Sequence, residues 1–336
     1  MFKTTARWLD TVDSLMTLSK PASPIGLLLG LFLTACACFD APVSAQDPKP
    51  PSGADLVGTS AFASVAAVRP GEPFQVAVRY RMKPHWHIYW KNAGGSGQPP
   101  ILDLKVPEGF VIGPVQWPTP EVFPGADASY GYAGEVVLLI PVTPPDRLDV
   151  DRVSFKLDLE WLVCRRVCLF GNREHLIELP VSTGAEVPPI SESHQRLLEH
   201  WRARLPRSIR TIKDAGARLE GDRLIVEGPI ESEADVVWFY PDDTPGVSPA
   251  IPSPVKGRID AGRFLLDVPL TISPENALGG PLRVAGLVVP RKTGRSSIMI
   301  PSIAIELPIP VGDAFSSTTD QDKPPPVRGG TPSERR

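Results

Sequence analysis

Two thiols stand four residues apart at the end of an apolar strand, in the run Trp161-Leu162-Val163-Cys164-Arg165-Arg166-Val167-Cys168. The chain has four cysteines, and the other two fall in an N-terminal leader, so an exported form would hold this pair alone. Thiol-disulfide exchange needs a thiolate that can reach a partner's disulfide and a second thiol that resolves the mixed intermediate. Cys164 and Cys168 supply both. Arg165 and Arg166 place two permanent positive charges beside the sulfurs, which favours the thiolate.

Three uses of such a pair stay open on residue chemistry alone. A structural staple is the plainest, but closing so short a loop removes little chain entropy, whereas stapled sandwiches join distant strands. A redox switch suits a small, exposed, reducible loop. A soft metal site for copper or zinc would need further ligands, and His85 and His87, two apart on an expected strand, are the candidates.

The elements that position these residues follow from periodicity. Val153, Phe155, Leu157, Leu159, Trp161 and Val163 alternate with Ser154, Lys156, Asp158 and Glu160, the signature of a half-buried strand. By that parity Cys164 lies on the face opposite Trp161. A connection over Arg165 to Asn172 and a return strand from His175 to Val181 put both cysteines at the mouth of a hairpin. Further strands are expected at 74–82, 101–106 and 135–142.

Proline, 40 of 336 residues, is more than twice its usual share, and spread between short apolar runs it excludes long helices. The expected class is all-β: two immunoglobulin-like β-sandwich domains joined by a short helix, after a signal peptide and before a disordered tail. The expected segments are a leader at 1–45, a linker at 46–58, a first domain at 59–185, a helix and second sandwich at 186–310, and a tail at 311–336. Ser191 can cap the helix, which runs to about Arg204 before Pro206 stops it.

The leader's apolar run, Ile25 to Phe39, is shorter than the roughly 20 residues of a membrane span and reads as a signal-peptide core. Val43-Ser44-Ala45 is one exit. Leu33-Thr34-Ala35-Cys36 resembles a lipobox, which would leave Cys36 lipidated. Either exit places the mature chain outside the cytosol, where disulfides persist. Net charge is -3 and no basic stretch is interleaved with aromatics, so nucleic acid is not an expected partner.

Several motifs then share an order. Trp86-His87-Ile88-Tyr89-Trp90-Lys91-Asn92-Ala93-Gly94-Gly95-Ser96-Gly97, Val106-Pro107-Glu108-Gly109-Phe110, Trp117-Pro118-Thr119-Pro120, Tyr130-Gly131-Tyr132-Ala133-Gly134-Glu135 and the cysteine run together resemble the N-terminal periplasmic domain of the DsbD thiol:disulfide interchange proteins. The branch that includes the suppressor-of-copper-sensitivity ScsB proteins is the nearer match. The likeness covers about Ser60 to Val181 and is looser beyond.

The resemblance implies an immunoglobulin-like domain whose pair, Cys164 and Cys168, takes electrons from a membrane-embedded thiol carrier. It passes them to periplasmic thioredoxin-fold proteins, as a protein-disulfide reductase component with no cofactor. It also implies a loop that covers the cysteines. Candidates are Lys91 to Gln98 and the stretch around Tyr130 and Tyr132, with Tyr89 and Trp90 as aromatic neighbours. Full-length relatives continue into a membrane domain and a thioredoxin-like domain that this chain lacks, so its electron source is expected on another protein. The alternatives are a binding or scaffold protein with a structural disulfide, and a copper-binding protein using the same cysteines.

Overall fold

The structure is a computed structural model that describes residues 51–95, 97–124, 128–184, 189–230, 233–273, 282–292 and 302–309. The expected leader, Cys36 included, and the tail at 311–336 lie outside the described residues.

The chain is all-β. A single helical turn, α1 (Gly53–Leu56), precedes ten strands: β1 (Val57–Ala63), β2 (Phe74–Met82), β3 (His87–Gly94), β4 (Ile101–Lys105), β5 (Val111–Ile112), β6 (Glu121–Phe123), β7 (Ser129–Ala133), β8 (Glu135–Thr143), β9 (Arg152–Cys164) and β10 (Cys168–Pro180). One sheet is ordered β1-β2-β8-β5; the other is β10-β9-β3-β7-β6, with β4 also pairing β9. The two faces close over a core that includes Val76, Val78, Tyr80, Leu138, Ile140, Phe155, Leu157 and Trp161. Each such side chain contributes about 1.5–3 kcal/mol by leaving water.

Residues 53–58, expected within a linker, are instead α1 and the start of β1, with Leu56 and Val57 buried. Composition hides this because the stretch follows a proline-rich run. Gly53 lies so close to β10 that a Cβ there would meet Phe170 backbone atoms at 2.6 Å.

Helix α2 (Glu192–Arg202) follows, with Ser191 Oγ accepting from the His194 N–H at 3.4 Å. Leu198 and Trp201 bury its apolar stripe against the first core. A second pair of five-stranded sheets then packs around Val226, Val237, Phe239, Leu266, Val288 and Ile305. A tight hairpin turns at Gly221, whose φ is 61°, between strands that pair Leu219 with Leu224. No helix among the described residues is long and apolar enough to cross a membrane.

Strand β9 organises the first sandwich. Val153, Phe155, Leu157, Leu159, Trp161 and Val163 are all buried. Its outer edge is shared by two partners: Lys156 to Glu160 pair with β4, while Val163 and Cys164 pair with Ile88 and His87 of β3. β3 can make only these two pairs because it bulges. Against β7, Tyr89 pairs with Gly131 but Gly94 with Ser129, so four residues of β3 face one of β7. A bulge of this kind re-aims side chains and ends pairing.

Candidate functional site

Cys164 ends β9 and Cys168 begins β10 as its direct partner, so the three residues between them form the hairpin connection. Directly opposed antiparallel positions bring side chains to one face, and here they are joined by a disulfide with Cα atoms 4.2 Å apart. The Arg165 N–H donates to the Val167 carbonyl at 3.2 Å, tightening the turn.

The two sulfurs differ in access. Cys164 is only 4 % exposed and sits in a small apolar cluster with Tyr89, Ala93 and Leu162, on the face opposite the main core. Cys168 is exposed, and its neighbours Val167 (61 %) and Phe170 (54 %) present apolar surface around it. Arg165 and Arg166 are exposed beside them. The result is an accessible sulfur in an apolar, positively flanked rim, backed by a covered one.

Tyr89 closes the site from β3. Its hydroxyl is 3.7 Å from Cys168 Sγ, and since a disulfide sulfur carries no hydrogen, the hydroxyl is the donor. Burial pushes the Tyr89 phenol up from its ordinary value, so it stays protonated. Beyond the bulge the chain returns over the ring: Gly97, with φ of 154°, lies so close that a Cβ would stand 2.3 Å from Tyr89 Cε1. Of the expected covering loop, Lys91 to Gly94 belong to β3 and Gly95 to Gln98 follow it, with Ser96 outside the described residues.

The other aromatic candidates are placed elsewhere. Trp90 alternates to the inner face and is fully buried in the core. Tyr130 packs edge-on against Trp90 and lies 5.0 Å from the Tyr240 ring of the second sandwich. Tyr132 is buried and donates to the Pro118 carbonyl at 2.7 Å. Strand parity sends these three away from the cysteines and leaves Tyr89 as the neighbour.

The histidines separate. His85 is not on a strand: it occupies the turn before β3, exposed and with φ of 72°. It therefore shares no strand face with His87. His87 is the direct cross-strand partner of Cys164. Its ring stacks on Phe123 at 4.1 Å and meets Tyr89 edge-on at 5.4 Å. Burial lowers its pKa from the ordinary 6.5, so the imidazole is neutral at pH 7. Sequence reasoning could not place it, because which strand lies beside β9 at Cys164 is a long-range pairing. Among the described residues no three His, Cys, Asp or Glu side chains gather into a metal-holding group.

The second sandwich reaches the strand that carries Tyr89. Lys91 Nζ pairs with Asp242 Oδ2 at 2.5 Å, and Asn92 Nδ2 donates to the Pro241 carbonyl at 2.7 Å. A cleft of about 560 Å³ lies between these residues and the segment from Asp242 to Pro249, and neither cysteine lines it.

Residues 54–179 match the family model for the N-terminal part of thiol:disulfide interchange protein DsbD. No curated protein matches the chain. Among solved structures, the N-terminal periplasmic domain of ScsB from Proteus mirabilis is 18% identical, covers 76% of this chain and 94% of its own, and has a TM-score of 0.49. The major pilin subunit BcpA of Bacillus cereus is 9% identical over 76% of this chain and 67% of its own, with a TM-score of 0.20. Neither likeness carries a functional conclusion.

Proposed function

Residues 54–179 form a domain of the DsbD N-terminal family, whose business is thiol-disulfide interchange, and from that premise we propose that this chain is an extracytoplasmic relay module. Cys164 and Cys168 cycle between dithiol and disulfide. Reducing equivalents arrive from a membrane-embedded thiol carrier and leave to a thioredoxin-fold protein.

The observation that carries the reading is the asymmetry of the pair, an exposed Cys168 against a buried Cys164. In the reduced form Cys168 attacks a partner disulfide sulfur; the partner's S–S bond breaks and one partner thiolate leaves. Cys164 then attacks Cys168 Sγ, the internal disulfide forms, and the second partner sulfur leaves with the electron pair. Two electrons have moved from the dithiol to the partner. The exposed Val167 and Phe170 give a partner apolar surface to dock on, and Arg165 and Arg166 favour the attacking thiolate.

The test is electron transfer from the reduced chain to an oxidised thioredoxin-fold protein. Cys168→Ala should abolish attack, and Cys164→Ala should accumulate the mixed disulfide. Transfer by both variants at the wild-type rate would refute the relay. A reduction potential below about -300 mV would mark a structural bridge, as a scaffold role requires, whereas a labile pair lies higher.

A further inference from the structure

We infer that His87 takes the proton from the Cys164 thiol as the reduced pair closes, and so acts as the base of the resolving step. This role rests on the relay reading above and adds a residue to it.

The step needs such a base. Cys164 must become a thiolate to attack Cys168 Sγ, yet the residue is 4 % exposed among Tyr89, Ala93 and Leu162. A buried thiol resists ionisation because the charged form is poorly solvated. The partner's leaving sulfur is outside, so the Cys164 proton needs an acceptor on the protein.

Geometry supplies one acceptor. His87 is paired with Cys164 across β3 and β9, so both side chains rise from the same face. Opposed Cβ atoms in such a pair are about 4.5–5.5 Å apart, within reach for an imidazole and a thiol. The stack on Phe123 of β6 and the edge contact with Tyr89 restrain the ring toward the β7 side of β3, so presenting it to Cys164 takes a rotation of the side chain. The remaining groups on this face are poor bases. Tyr89 keeps its proton, Arg165 and Arg166 are cations in the connection, and β7 offers only Ala133 and Gly131 opposite His87 and Tyr89. Glu121, on β6 with Phe123, has its carboxyl raised by burial but sits two residues from the stacked ring, opposite Gly131. A neutral imidazole at pH 7 is the suitable acceptor, and its lowered pKa keeps it so.

The experiment follows closure itself. The full chain is reduced, mixed with oxidised glutathione, and glutathione release from the Cys168 mixed disulfide is timed by rapid quench from pH 5 to 9. Wild type should close faster as pH rises through a value below 6.5 and then level off. His87→Gln and His87→Phe, the latter keeping a ring on Phe123, should close about 10²-fold more slowly at pH 7. Their rates should climb with pH into the thiol range. Folded variants with the wild-type rate and pH profile overturn the role. If both variants unfold, the His87 ring in wild type decides by NMR: its titration must shift between the disulfide and dithiol forms, and an unchanged titration overturns the role. Failure of wild type to exchange with any disulfide overturns the relay reading and this role together, whereas normal exchange with no His87 effect overturns this role alone.

Discussion

The Tyr89 hydroxyl lies 3.7 Å from Cys168 Sγ, so a residue on β3 reaches a sulfur on β10 across the end of β9. The ring is held from above by Gly97 and from the side by His87. Tyr89→Phe keeps this cover and loses one weak contact, and should change exchange rates only a few-fold. Tyr89→Ala removes the cover: alkylation of reduced Cys164 by iodoacetamide should speed up at least tenfold, with stability falling by about 3–5 kcal/mol. Unchanged alkylation in Tyr89→Ala would show that Tyr89 does not shield the pair.

The disulfide should matter little to folding. Cys164 and Cys168 are four apart, and a loop that small contributes about 2 kcal/mol by the chain-entropy estimate. The Cys164→Ala/Cys168→Ala chain should keep its far-UV spectrum and unfold cooperatively, with a modest drop in denaturant midpoint. Loss of folding would assign the pair a structural role.

Gly131 lets β7 approach β3 beneath Tyr89. A Cβ there would stand 2.1 Å from the Ile88 carbonyl oxygen, a backbone atom that cannot yield without moving the strand. Gly131→Ala should therefore cost about 2–3 kcal/mol, as overpacking does, and should disturb the site with it. A denaturation midpoint equal to wild type would contradict the pairing of Tyr89 with Gly131.

A ring contact and an ion pair both join the two sandwiches. Tyr240 is buried against Tyr130 and its hydroxyl accepts from Arg291 Nε at 3.0 Å. Tyr240→Ala should lose about 3–5 kcal/mol and uncouple unfolding of the second core from the first. Asp242→Asn, which breaks the partly exposed pair with Lys91, should cost under about 1 kcal/mol. Calorimetry of both variants distinguishes these outcomes.

Stability should fall on acidification. Burial lowers the pKa values of His87, His175 and His200 from 6.5 in the folded chain, so the unfolded chain binds protons more readily. Their contribution is complete above pH 6.5 and is lost as pH falls from there through the lowered folded values. His175, whose Nε2 lies 2.9 Å from Thr59 Oγ1, is the one to test. His175→Gln should flatten the dependence of melting temperature on pH between 7 and 5, and an unchanged slope would rule His175 out as a source.

Much of this was legible in the chain because it is local. Period-two alternation placed the buried face of β9, and the same parity put Cys164 opposite Trp161. Ser191 and Pro206 bounded α2, and the spacing of the cysteines set a hairpin mouth. Backbone geometry over a few residues determines each of these.

What the sequence could not decide depends on which strands become neighbours. That β3 lies along β9 only at His87 and Ile88, and then bulges away, is a product of packing between segments some 75 residues apart. This pairing alone brings His87 to Cys164 and Tyr89 to Cys168. It also turns Trp90, Tyr130 and Tyr132 into core. The chain by itself determined a two-thiol hairpin end, and tertiary structure decided which sulfur is covered, by what, and beside which base.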